Sequence, residues 1–97
     1  MHARVSTIVA SPDQADAGTS SFQETVIPWV KDQGGRGGIL LLDRTTGKSL
    51  AITLWSDEAQ MRQSEDAANE LRRSISDEMQ STQPPTVERY EVAVFEA

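Results

Sequence analysis

The apolar positions of this chain switch between a period of two and a period near 3.6, and the switches mark its elements. From Arg4 to Ala10, Val5, Thr7 and Val9 alternate with Ser6, Ile8 and Ala10, and the β-branched residues among them predict a first strand. Ser11-Pro12-Asp13 breaks it, because Pro12 has no N–H for a ladder, and Ser11 or Asp13 is placed to cap the next element. From about Ala15 to Gln33 the period becomes helical. Phe22, Val26, Trp29 and Val30 fall on one face. Pro28 lies inside this pattern and predicts a kink near Glu24, the residue whose carbonyl loses its donor. Gly34-Gly35 is a left-handed stop.

A Gly-rich lead-in then opens two more alternating runs, Gly38 to Asp43 and Leu50 to Trp55, joined at Thr45-Thr46-Gly47. Gly47 suits a positive φ, so the two runs predict a β-hairpin. Ser56 is placed to cap a second helix, with Asp57 and Glu58 in its first turn. Met61, Ala68, Leu71, Ile75 and Met79 form its apolar stripe; Arg62, Glu65, Asp66, Arg73 and Asp77 form its solvated side, on which Glu65-Asp66 reads as water-facing. Ser81 to Pro85 is a loop, and Val87 to Phe95 a last strand. The order βαββαβ fills residues 1–97 as one α+β domain. It predicts a ferredoxin-like plait: a four-stranded antiparallel sheet with both helices on one face, since right-handed crossovers put them on the same side.

The other sheet face carries the strongest expectation. A face that meets water should be polar. Strand two is apolar on both sides, strand three nearly so, and strand four sets Tyr90, Val92 and Val94 opposite Ala93 and Phe95. A second copy packed sheet to sheet about a two-fold axis would cover such a face, so the pattern predicts a homodimer through the open sheet face. A monomer of this length would bury only roughly 60–65% of its unfolded surface, which points the same way.

Composition narrows the chemistry. The chain has no cysteine, so disulfides, thiolate metal sites and cysteine nucleophiles are excluded; this fits a cytoplasmic location. Its one histidine is His2, which argues against a histidine metal site or a Ser-His-Asp triad. A net charge of −6 disfavours nucleic acid. No run reaches the ~20 apolar residues of a membrane span, and the N-terminus lacks the apolar stretch of a signal peptide.

Two apparent phosphate motifs dissolve on inspection. Thr46-Gly47-Lys48-Ser49 resembles the tail of a phosphate-binding loop, but Leu42 stands where that loop needs Gly and a strand comes next instead of a helix. Gly35-Arg36-Gly37 lacks the third glycine of a dinucleotide fingerprint, with Leu40 in its place. Arg44 and Lys48 flank the hairpin tip and read as solvated. The candidates that remain are aromatic. Trp55 ends strand three as a packing residue or as the wall of a pocket for a flat ligand. Trp29 packs or forms the opposite wall. Tyr90 packs or offers a proton.

The Gly-rich lead-in, the hairpin, the Leu54-Trp55 end of strand three and the adjoining Ser56-Asp57-Glu58 resemble the dimeric α/β-barrel superfamily, and within it the antibiotic biosynthesis monooxygenase-like proteins. The resemblance covers nearly the whole chain. It implies a homodimer with a pocket between sheet and helices, and ligand-binding roles for Trp55, Tyr90, Trp29 and Thr7. Some members of the family oxidise aromatic polyketides without a cofactor, and others bind and degrade haem. The haem-degrading branch uses an Asn in strand one, a Trp ending strand three and a His on the second helix. Only Trp55 matches; Ser6 and Thr7 stand in strand one, and Ser64, Glu65 and Asp66 lie near the His position. The resemblance therefore implies no cofactor here. It leaves two functions open. One is a binder or cofactor-free oxygenase of a small aromatic or apolar molecule, in which the substrate's own carbanion reduces oxygen and the protein positions it and stabilises the anion. The other is a non-catalytic dimeric binding or scaffold module.

Overall fold

The computed structural model describes residues 1–97. Its strands are β1 (His2–Val9), β2 (Gly37–Asp43), β3 (Lys48–Trp55) and β4 (Thr86–Glu91), in the spatial order β2-β3-β1-β4. Every neighbouring pair is antiparallel. Four helices, α1 (Ala15–Ser21), α2 (Ile27–Asp32), α3 (Glu58–Gln63) and α4 (Glu65–Glu78), fill the two crossovers. This is the four-stranded βαββαβ plait that the periodicity predicts.

The first crossover helix solves its proline problem without a sharp bend. Between α1 and α2 lies a π-helical turn, Phe22–Val26, and Ile27 N–H reaches back five residues to the Phe22 carbonyl. Pro28 has no N–H to give Glu24, and the widened turn just ahead of it absorbs that loss. The predicted kink is thus a π turn, and it keeps Phe22, Val26 and Val30 buried against the sheet. Gly34, at φ 85°, ends the helix, and its N–H bonds to the Lys31 carbonyl.

The second crossover breaks at Ser64. Asp57, not Ser56, caps α3: its backbone is extended and its Oδ1 accepts the Gln60 N–H at 2.8 Å. Gln60 Oε1 in turn accepts the Ser56 N–H at 3.3 Å, so both side chains hold the helix start. Across the break, the apolar stripe continues through Met61, Ala68 and Met79, all buried. The β2–β3 turn is held by Asp43, whose Oδ1 accepts the Thr45 and Thr46 N–H groups. Gly47, at φ 80°, is pressed so close to the Ala10 carbonyl that no side chain fits there.

The last strand is shorter than the Val87–Phe95 run of the sequence. The register with β1 ends at His2↔Glu91, and Val92 N–H makes one more bond, to the Met1 carbonyl. Residues 93–97 make no further ladder pairs with β1, so alternation alone does not make them a strand. Val94 and Phe95 are exposed there.

The two faces of the sheet differ in an unexpected way. Cross-strand partners share a face, so the registers sort the side chains. Toward the helices point Arg4, Ser6 and Ile8 of β1, Leu40 and Leu42 of β2, and Ser49, Ala51 and Thr53 of β3. Away from them point Val5, Thr7 and Val9, Ile39 and Leu41, Leu50, Ile52 and Leu54, and Tyr90. The helix-covered face thus carries buried polar groups, and the uncovered face carries the larger share of aliphatic ones. Leu41 is 48% exposed and Tyr90 50%.

Candidate functional site

Helices and sheet do not close completely on each other. Between them lies a narrow cleft, part of it open to solvent, with a cavity volume of about 60 Å³. Its walls are mostly apolar: Phe22, Val26 and Trp29 from the first crossover, Leu40 and Leu42 from β2, and Leu71, Ile75 and Met79 from α4. Such a shape and lining fit a small-molecule site. The polar groups on it are few: Arg4, Ser6, Ser49 and Thr53 from the sheet, and Arg72 from α4.

Arg4 is the unusual member. Its side chain is only 2% exposed. One guanidinium nitrogen, Nη2, donates to the Met61 carbonyl at 2.6 Å, to Ser64 Oγ at 3.0 Å and to Glu65 Oε2 at 2.9 Å. The Ser64 break in the second crossover helix provides part of this cradle, since its hydroxyl also donates to the Met61 carbonyl at 2.8 Å. The other two nitrogens, Nε and Nη1, are buried and have no partner. A buried N–H without an acceptor is rare and destabilising. The guanidinium lies 5.4 Å from the Trp55 ring centroid, a cation–π contact.

Glu65 completes a charge bridge. It accepts from Arg4 through one oxygen and from Arg89 through the other, with Arg89 Nε at 2.9 Å. Burial raises its carboxyl pKa, but hydrogen bonds from Arg89 and Arg4 outweigh this and hold it below the ordinary 4.5. Glu65 is therefore not the water-facing residue that its helix pattern suggests; two arginines from the sheet enclose it. Arg72 donates from Nε to Ser6 Oγ at 2.9 Å and from Nη1 to Asn69 Oδ1 at 2.7 Å. Burial, and then the positive charge of Arg4, lower its pKa from the usual guanidinium range. Arg72 also borders a second, polar cleft beside β4, with Asn69, Arg73 and Thr82 around it.

The four residues singled out from sequence separate in space. Trp29 lines the cleft. Trp55 is fully buried behind Arg4; its Nε1 donates to Thr53 Oγ1 at 3.0 Å and its ring meets Trp29 edge-on at 6.0 Å. Thr7 and Tyr90 sit on the opposite, uncovered face, where the Tyr90 hydroxyl donates to Glu88 Oε2 at 2.7 Å. Sequence reasoning does not reach Arg4, Ser6, Thr53, Phe22 or Arg72 as site residues. Two of them carry a signal: Arg4 shares its strand parity with Ile8, and Arg72 falls four residues after Ala68 on the buried side of its helix.

The cleft does not fit a haem of the kind held by an imidazole, thiolate or phenolate ligand. No His, Cys or Tyr lines it, and His2 lies apart, 3.8 Å from Glu58. No group of three or more His, Cys, Asp or Glu is arranged to hold a metal ion. No helix is long and apolar enough to cross a membrane.

No family model matches the chain. Two uncharacterized proteins of Mycobacterium tuberculosis, from strains CDC 1551 and H37Rv, are each 29% identical to it over 96 residues, 98% of this chain. The chain spans only 42% of the length of those relatives. Among solved structures, a monooxygenase from the gene ActVA-Orf6 of Streptomyces coelicolor, in complex with nanaomycin D, is similar with a TM-score of 0.74 at 15% identity, over 99% of this chain and 92% of that one. The heme-degrader MhuD of Mycobacterium tuberculosis, with two hemes bound in its active site, is similar with a TM-score of 0.69 at 11% identity, over the whole of both chains. With strand order and crossovers in hand, these likenesses show that the chain has the ferredoxin-like fold of these solved structures.

Proposed function

We propose that this chain forms a homodimer through the uncovered face of its sheet, and that each subunit binds a small aromatic molecule between sheet and helices. The observation that carries the binding half is the cleft itself: apolar, walled by Phe22 and Trp29, with a handful of inward polar groups. The dimer half is supported by Ile39, Leu41 and Tyr90, large side chains left 42–50% exposed on one sheet face. The S. coelicolor monooxygenase, similar in fold, holds the ligand nanaomycin D in its own structure, which agrees with a small-molecule site. The lack of cysteine fits a cytoplasmic location, which the proposal includes.

Oxidation of the bound molecule without a cofactor is the enzymatic form of this proposal. It would require the substrate to supply the electrons, with the cleft holding it in place and away from water. One observation favours binding without catalysis. The only ionisable side chains on the cleft are Arg4 and Arg72, both cations, so no lining residue serves as a base.

Native mass spectrometry of the purified protein tests the reading. A dimer carrying additional small-molecule mass is the expected result. A monomer would overturn the sheet-to-sheet assembly. For the site, Trp29→Ala should weaken binding of an aromatic probe while leaving the dimer intact; unchanged binding would remove the cleft from the proposal.

A further inference from the structure

The charges around the cleft do not balance. Arg4 and Arg89 both act electrostatically on Arg72, as does Glu65, to which Arg4 and Arg89 are hydrogen-bonded. Two guanidinium groups, Arg4 and Arg72, thus line the cleft with no carboxylate on its lining, and the nearby Glu65 is shared with the more exposed Arg89, within a protein whose net charge is −6. Glu65 has spent both oxygens, one on Arg4 and one on Arg89. Arg4 still holds two buried nitrogens with no acceptor, and it lines the cleft. Uncompensated charge in a largely apolar surrounding is strongly destabilising. An anion on Arg4 would remove that deficit.

Resting on the binding reading above, we propose that the cleft takes an aromatic carboxylate, with its ring among Phe22, Trp29 and the aliphatic walls and its carboxylate on the free N–H groups of Arg4, within the field of Arg72. A carboxylate arrives already ionised at neutral pH, with an ordinary pKa near 4. A phenol would have to lose its proton inside the cleft, and no lining side chain can accept it. The buried guanidinium also explains why the helix-facing side of the sheet is polar at its centre: Arg4, Ser6 and Thr53 form the polar floor of an otherwise apolar container.

Titration of the intact protein with 2-naphthoate, its neutral methyl ester and 2-naphthol, followed by tryptophan fluorescence, tests this. Naphthoate is expected to bind at least about tenfold more tightly than the ester, the lower end of what a hydrogen bond to a charged group contributes. Arg4→Gln should abolish that preference. If Arg4→Gln does not fold by circular dichroism, Arg72→Gln is the second variant; it should reduce the preference for naphthoate over its ester about threefold or more, and an unchanged preference would overturn the anion site. Equal binding of acid and ester would overturn the anion site and leave the binding cleft standing. Binding of 2-naphthol that strengthens as pH rises, with no preference for naphthoate over its ester, would overturn the carboxylate in favour of a phenolate. Binding of none of the three would overturn the cleft itself.

Discussion

The two faces of the one sheet are built on opposite rules. The face under the helices is where an apolar core is expected, yet Arg4, Ser49 and Thr53 are buried there. The uncovered face is where water is expected, yet it carries Val5, Ile39, Leu41, Leu50, Ile52 and Leu54. Hydrophobic packing on this side is concentrated where the helices meet the end of β3, and there Phe22, Val26, Val30, Trp55 and Met61 form a core cluster. The difference teaches that burial inside a subunit and apolarity need not coincide. On the proposed reading, the polar groups of this sheet would meet a ligand and its aliphatic groups a second copy.

The largest expected effect lies on the helix side. Trp55→Ala would remove a fully buried ring together with its contacts to Arg4 and Trp29. A loss of about 3–5 kcal/mol is expected, read as a fall of roughly 12 °C or more in Tm for a domain of this size. On the opposite face, Leu41→Asp should leave the subunit folded but weaken the dimer by about a hundredfold or more, because it puts an unpaired charge into the interface; sedimentation velocity across a dilution series would show it. A variant that stays dimeric would break the comparison.

Glu65→Gln sharpens the comparison from within the helix side. Two charged hydrogen-bond partners lose their carboxylate, for an expected loss of about 1.5–3 kcal/mol near neutral pH. The pH dependence has a definite sign. The folded carboxyl titrates below its ordinary 4.5, so its contribution is fully present above 4.5 and is lost as pH falls through the lower folded value. Urea unfolding at a series of pH values should therefore show a shallower acid decline in the variant than in the parent. The smallest effect belongs to Tyr90→Phe, within about 0.5 kcal/mol, since its hydroxyl bonds only to exposed Glu88; probe binding in the cleft should not change.

Much of the architecture is legible in the sequence because it is local. Alternation in Val5–Val9 and Leu50–Trp55, the Gly34 stop and the Gly47 turn each act over a few residues, and all four recur in the structure. The site is less legible because it is not local. Arg4 and Glu65 are 61 residues apart, so a helix pattern containing Glu65 has no trace of the arginine that claims it. Strand alternation shows that Arg4 and Val5 point to opposite faces, but not which face the helices cover, and here the apolar side is the uncovered one. Residue type and resemblance draw Tyr90 and Thr7 toward the pocket, whereas cross-strand register puts both on the other face. The end of β4 misleads for a related reason: Val92 to Phe95 keeps a suitable composition, but the pairing with β1 stops at the bond from Val92 N–H to the Met1 carbonyl.

The end of β4 leaves a hazard at the sheet's margin. β4 is a margin strand whose outer backbone groups are unpaired in the single subunit, and such strands template aggregation unless guarded. Glu88, Arg89 and Glu91 guard β4 with charge, but the next four residues, Val92-Ala93-Val94-Phe95, carry none. The charged guard on this edge strand therefore ends at Glu91, immediately before four uncharged residues.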